Sequence, residues 1–264
     1  MNRKTIISVT ATAHPQVSSV LFRTVIYVVA LVTGAIVMSF EMLGSRYLNP
    51  YFGNGIYTWA ALISTVLAAL TAGYFLGGLI GDRTVSAAVL GLIVSLASVY
   101  LLVLPTFAGA ILGLVLDTVD DVRVGSLYAA LSIMFLPVTL FGVYSPFAIR
   151  LVMRTTQHSG TVSGTVYGVS TAGSIVGTLG TTFFLIPLIG TRAITFLLGA
   201  AGLCSGLLLI TLDRTLSPQE ASGQQWESLH SRPCSSATRP GRMGCSTKMC
   251  GRKCLSKVTA ESRI

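Results

Sequence analysis

Residues 24–47 read TVIYVVALVTGAIVMSFEMLGSRY, an almost unbroken apolar run with one acid, Glu41, and one base, Arg46. A helix rises about 1.5 Å per residue, so about 20 apolar residues cross the roughly 30 Å hydrocarbon core of a bilayer. The stretch therefore predicts a transmembrane helix. Five further segments meet the same test: 57–80, 84–104, 125–149, 161–189 and 192–212. A shorter apolar patch, Phe107–Leu116, is interrupted by Asp117, Asp120 and Asp121. Its length predicts an interfacial or re-entrant piece rather than a crossing.

Composition agrees with this reading. Of 264 residues, 52% are hydrophobic and 10% charged, with a mean hydropathy of +0.74. Soluble domains carry about 25% charge. The deficit excludes a water-soluble enzyme or a wholly disordered chain and gives an all-α, polytopic helical bundle of six spans. The partner that follows is the lipid bilayer. The net charge of +9 does not imply nucleic acid, because the basic residues lie scattered between apolar runs, where they set topology.

Those charges also orient the chain. With the N-terminus inside, six spans place Arg3, Lys4, Arg23, Arg83, Arg150, Arg154 and Arg214 on the cytoplasmic side. Arg46, Arg123, Arg192 and the three aspartates fall outside. Counting 107–116 as a separate crossing would move Arg150 and Arg154 outside, against the positive-inside rule. Both termini are therefore expected in the cytoplasm, with Tyr51, Phe52, Tyr57 and Trp59 at the outer headgroup level.

Three regions result. Residues 1–23 form a cytoplasmic leader, whose Ser8, Thr10 and Thr12 weaken any resemblance to a cleaved signal peptide. Residues 24–212 form the membrane domain. Residues 213–264 form a basic tail with nine Lys/Arg and Cys234, Cys245, Cys250 and Cys254. The tail shows no helical or strand periodicity and is expected to be disordered. Its cysteine spacing fits no common zinc or haem pattern, so no metal site is expected. The abrupt change of character resembles a frameshifted or truncated end.

Small residues mark the faces that should be buried. Gly73, Gly77 and Gly81 recur every four residues in the second span, leaving one stripe without side chains. From Thr161 to Thr182, fourteen of twenty-two residues are Gly, Ser or Thr, with Gly173 and Gly177 among them. Such helices gain little from lipid and much from close backbone approach, so the fifth span should lie inside the bundle. Pro137 and Pro146 should bend the fourth span.

Catalytic constellations are nearly absent. The sequence has no Gly-x-Gly-x-x-Gly after a strand, no P-loop and no Gly-x-Ser-x-Gly elbow. None of the three histidines has a partner at ligand spacing. No catalytic residue, cofactor or metal is therefore assigned. Glu41 stands apart, because a carboxylate within a span is costly and is a functional candidate by default. It can carry a proton or hold a cation, or it can pair with Arg46 and anchor the helix. The order Gly78-Leu79-Ile80-Gly81-Asp82-Arg83 resembles the start of the signature loop of major facilitator transporters. There, Asp82 and Arg83 would form a clasp that biases one conformation over another.

A more specific resemblance runs through most of residues 30–212. Glu41-Met42-Leu43-Gly44-Ser45-Arg46, Asn49-Pro50-Tyr51-Phe52-Gly53 and Tyr57-Thr58-Trp59 resemble the opening of the membrane-embedded spermidine synthase-like proteins. Gly73-Tyr74-Phe75-Leu76-Gly77-Gly78, Ser170-Thr171-Ala172-Gly173-Ser174 and Leu185-Ile186-Pro187-Leu188-Ile189-Gly190-Thr191-Arg192 continue it. Those proteins fuse a membrane domain, resembling half of a major facilitator-type transporter, to a cytoplasmic aminopropyltransferase domain. The resemblance implies a bacterial inner-membrane protein whose membrane domain transports or senses a polyamine or related cation. It also implies an aminopropyltransferase domain as a partner. The residues after Leu212 contain neither a Gly-rich loop nor a strand–helix alternation, so aminopropyltransfer is not expected of this chain alone. A membrane anchor or scaffold without a solute path is the other reading.

Overall fold

The structure, a computed structural model, describes residues 15–153 and 159–230, with side chains over 20–153 and 159–214. Eight helices follow in order: α1 (Pro15–Phe52), α2 (Ile56–Arg83), α3 (Ala87–Thr118), α4 (Val122–Gly142), α5 (Tyr144–Val152), α6 (Ser159–Gly180), α7 (Ile186–Leu188) and α8 (Thr191–His230). A π-helical turn, Thr181–Leu185, joins α6 to α7. There is no strand among the described residues. Contacts divide the chain after Glu220, and the bundle described below belongs to the first unit.

Six segments are long and apolar enough to cross a membrane: Val20–Phe52, Ile56–Arg83, Ala87–Thr118, Val122–Val152, Ser159–Leu188 and Thr191–Arg214. The chain is thus an all-α bundle with the properties of an integral membrane protein. The six spans stand as expected, but their limits differ. The patch Phe107–Leu116 is neither interfacial nor re-entrant; it completes the third span, because α3 runs unbroken through Pro105 to Thr118. One long helix keeps its backbone groups paired, whereas an irregular break in the apolar interior would leave them unpaired.

The ends also move. Residues 15–23 of the expected leader are already helical, and α8 continues past Leu212 to His230, into the expected disordered tail. Residues 231–264, with the four tail cysteines, lie outside the described residues. The fourth span is interrupted at Val143, between α4 and α5. Pro137 sits within continuous α4, whereas Pro146 has no N–H to return to the preceding turn, so the interruption falls just before it.

Glycine decides how the helices pair. A Cβ at Gly173 or Gly177 of α6 would strike the Leu31 or Ala35 carbonyl of α1, and one at Gly34 would strike the Ser170 carbonyl. The α2 glycines meet the interrupted fourth span: Gly73 abuts the Thr139 carbonyl, and Gly77 the Val143 carbonyl and the Pro146 ring. Gly81 makes ordinary contact, its Cβ position lying 3.6 Å from Arg150 Cβ and from Phe147 Cα. On the other side α3 and α8 meet through Gly91, Gly199, Gly202 and Gly206. Backbone approach of this kind replaces the hydrophobic drive that helices in lipid lack.

A few polar contacts fix the ends and the interior. Gly53 closes α1 at φ +73° and donates to the Asn49 carbonyl at 3.0 Å, a conformation glycine adopts without steric cost. Asp121 caps α4, accepting from the Arg123 N–H at 2.9 Å. Asp213 of α8 accepts from Ser86 Oγ at 3.1 Å and the Ala87 N–H at 3.2 Å, supplying the start of α3 with a carboxylate cap from another helix. Tyr144, 1% exposed, donates its hydroxyl to the Ile26 carbonyl at 2.5 Å and ties α5 to α1.

Candidate functional site

The tight α1–α6 and α2–α4 crossings leave a cavity of about 70 Å³ between the two pairs. Its wall carries the hydroxyls of Thr33, Ser145, Ser170 and Ser174, the Tyr74 ring, and apolar surface from Met38 and Leu70. Two hydroxyls are already engaged with the backbone: Thr33 Oγ1 donates to the Ala30 carbonyl at 3.1 Å, and Ser174 Oγ reaches the Gly34 carbonyl at 3.2 Å. Tyr74 packs edge-on against Tyr167, centroids 6.4 Å apart. Among the described residues no charged side chain lines this cavity. It offers hydroxyl oxygens, the aromatic rings of Tyr74 and Phe141, and no fixed charge.

Glu41 lies one turn beyond Val37 and Met38 on the same face of α1. It is 7% exposed, buried inside the bundle. Charge left unpaired at a helix centre costs on the order of 2.5–3.5 kcal/mol by insertion scales. The pair with Arg46 does not form. Arg46 is exposed, and the Asp82–Arg150 pair is the ion pair present among the described residues. The reason is helical: five residues turn the chain by about 140°, so the two side chains leave opposite sides of α1.

The expected clasp between Asp82 and Arg83 is likewise replaced. Asp82 Oδ1 lies 3.2 Å from Arg150 Nε, while Arg83 stands exposed at the end of α2. Adjacent residues on a helix do not face each other; the neighbour that Asp82 meets comes from α5, on the helix that Gly81 touches. The structure thus brings Gly73, Gly77, Gly81 and Asp82 together along one seam with the fourth span. Gly173 and Gly177 line a second seam, beside the cavity, but with Val166 they are the buried residues of α6. The fifth span is the least buried of the six and lies at the edge of the bundle rather than inside it, because only its glycine face meets α1. Glu41 shares the cavity's face of α1, and Arg46 and Arg83 belong to neither arrangement.

Sequence reading missed Arg150 as the partner of Asp82 and missed the cavity hydroxyls. The opposite charges of Asp82 and Arg150, at the same end of two helices with matching glycine contacts, were the available signal for the first. No family model, curated protein or solved structure is similar to the chain.

Proposed function

We propose that this chain is the membrane domain of a spermidine synthase-like protein and that it transports or senses a polyamine or related organic cation. The observation that supports it is the hydroxyl-lined cavity among α1, α2, α4, α5 and α6. A primary ammonium is a hydrogen-bond donor that hydroxyl oxygens can accept, and a tyrosine face attracts cations. Ser145 and Tyr74 serve as the first contacts in this reading, because neither hydroxyl has a hydrogen-bond partner among the described residues. The Asp82–Arg150 pair holds one end of the second and fourth spans together in one conformation. A cytoplasmic aminopropyltransferase domain is the partner that would use the solute, and both chain termini lie in the cytoplasm of a bacterial inner membrane.

The test is uptake of radiolabelled putrescine and spermidine into proteoliposomes. Time-dependent accumulation that Ser145→Leu abolishes, with the variant still folded, supports the reading. Vesicles no more permeable than protein-free ones, together with no binding of either amine to the detergent-solubilised protein, establish the anchor reading instead. The seams at Gly73, Gly77, Gly173 and Gly177 favour that second reading to the extent that a packed bundle requires nothing more.

A further inference from the structure

Glu41 has a neighbour that the sequence did not announce. The contacts of Leu31 with Gly173 and of Ala35 with Gly177 advance together, so α1 and α6 run parallel where they cross. Carried six residues further, this register brings Glu41 level with the π-helical turn Thr181–Leu185, which α1 touches. The turn widens the helix: the Ile186 N–H reaches back five residues to the Thr181 carbonyl. Pro187 then brings no N–H at all, so a carbonyl within the turn lacks its ordinary donor. Thr181 itself is buried at 2% exposure. Single π-turns inside α-helices are frequent at functional sites.

No charged side chain forms an ion pair with Glu41 among the described residues. The charged residues on the helices packed against α1 lie near the ends of the spans: Asp82 and Arg83 on α2, Asp117 on α3, Arg123 on α4, Arg150 on α5, and Arg192, Asp213 and Arg214 on α8. Of these, Arg192 is exposed and acts on Tyr47, while Asp213 is bonded to Ser86. The turn and α6 carry none. The tyrosines on those helices are occupied or face away: Tyr144 bonds Ile26, Tyr100 bonds the Ser132 and Ile133 carbonyls, Tyr74 and Tyr167 pack together, Tyr57 lies under Arg123, and Tyr128 is exposed. On Glu41's own helix, Arg46 points away and Tyr47 hydrogen-bonds Thr195 at 3.0 Å.

The geometry points to Glu41, beside the π-turn, as an exchangeable proton-binding site within the membrane. The carboxylate takes one proton from water to become the neutral acid and returns it to water on release. The cavity begins one turn from it, at Val37 and Met38, and α1 ends at Phe52, about three turns beyond it. The proposal rests on the transport reading for its purpose, since a carboxylate that binds a proton can exchange it for a cationic solute. The binding itself is independent of that reading.

Infrared difference spectra of the full chain in lipid nanodiscs, titrated from acid to alkaline pH with no amine present, test it. The wild type should show the C=O stretch of a neutral carboxylic acid that vanishes as pH rises. Glu41→Gln, which keeps the shape of the neutral acid, should fold and lack the band, and Glu41→Asp should regain a titrating band. Absence of any titrating acid band in the wild type, or its persistence in Glu41→Gln, overturns the proposal. A signal that responds to sodium at fixed pH rather than to pH overturns it in favour of a metal-cation site. A titrating Glu41 in a protein that moves no putrescine upholds the proton site and removes the transport reading alone.

Discussion

Arg150 Nε lies 3.2 Å from Asp82 Oδ1 and joins α5 to α2 where the glycine face of α2 ends. Both side chains are more than half exposed, at 51% for Arg150 and 69% for Asp82. The pair is placed by Gly77, whose close contact with Val143 and Pro146 fixes how α5 leaves the interruption. Position here comes from packing and charge follows.

An exposed pair contributes little to stability, typically about 0.2–1 kcal/mol. Asp82→Asn and Arg150→Gln should each lower it by no more than about 1 kcal/mol, and a double-mutant cycle should return a coupling below that. Thermal unfolding in detergent at low and high salt measures it, with the coupling shrinking as salt rises. A coupling of several kcal/mol would mean that the pair is far better shielded than its exposure indicates.

Glycines of one helix should divide sharply. Gly177→Val must push Ala35 backbone away and should destabilise the bundle by about 1–3 kcal/mol or more. Gly168, on the same helix, has nothing within 4 Å of a Cβ, so Gly168→Ala should be neutral or should stabilise by about 0.5–1 kcal/mol through helix propensity. Unfolding of both variants in the same detergent gives the comparison. Equal losses would refute the α1–α6 crossing as described.

Asp213 replaces a local cap for α3, so its loss should resemble loss of an N-cap. Asp213→Ala should cost about 0.5–2 kcal/mol, and Asp213→Asn less, since an amide oxygen still accepts. Hydrogen exchange at residues 87–90 should quicken in Asp213→Ala and change little elsewhere. Protection left intact there would show that the carboxylate does not cap the helix.

The arginine asymmetry and the six spans together predict opposite sides for Gly55 and Arg214. Reporter fusions after each residue should label one cytoplasmic and one external site. Labelling on one side would require an odd number of crossings between them to become even, and α3 is the helix whose length makes it the first to check.

The span count was legible because apolar length is a local property, readable from 24–47 and its five counterparts. The extent of the third span was not. Three aspartates beyond Leu116 gave the patch from Phe107 a polar border, and only the continuous helix through Pro105 shows that it belongs to what precedes it. Gly73 and Gly77 were legible as a packing stripe from spacing alone. The burial of Glu41 was expected from its neighbours, but its separation from Arg46 depended on helical phase, which spacing of five already contained. Asp82 with Arg150, and the hydroxyls around the cavity, needed the fold, because they come from helices distant in sequence.

The glycine seams pair the first span with the fifth, the second with the fourth, and the third with the sixth. Lesser contacts follow suit: Tyr100 reaches the fourth span from the third, and Tyr47 meets Thr195 between the first and the sixth. Relabel spans one, two and three as four, five and six, and the reverse, and every one of these pairings is returned unchanged. Each set of three crosses the bilayer an odd number of times, so the two sets enter it from opposite faces. The bundle therefore has the contact pattern that an inverted repeat of two three-span halves produces.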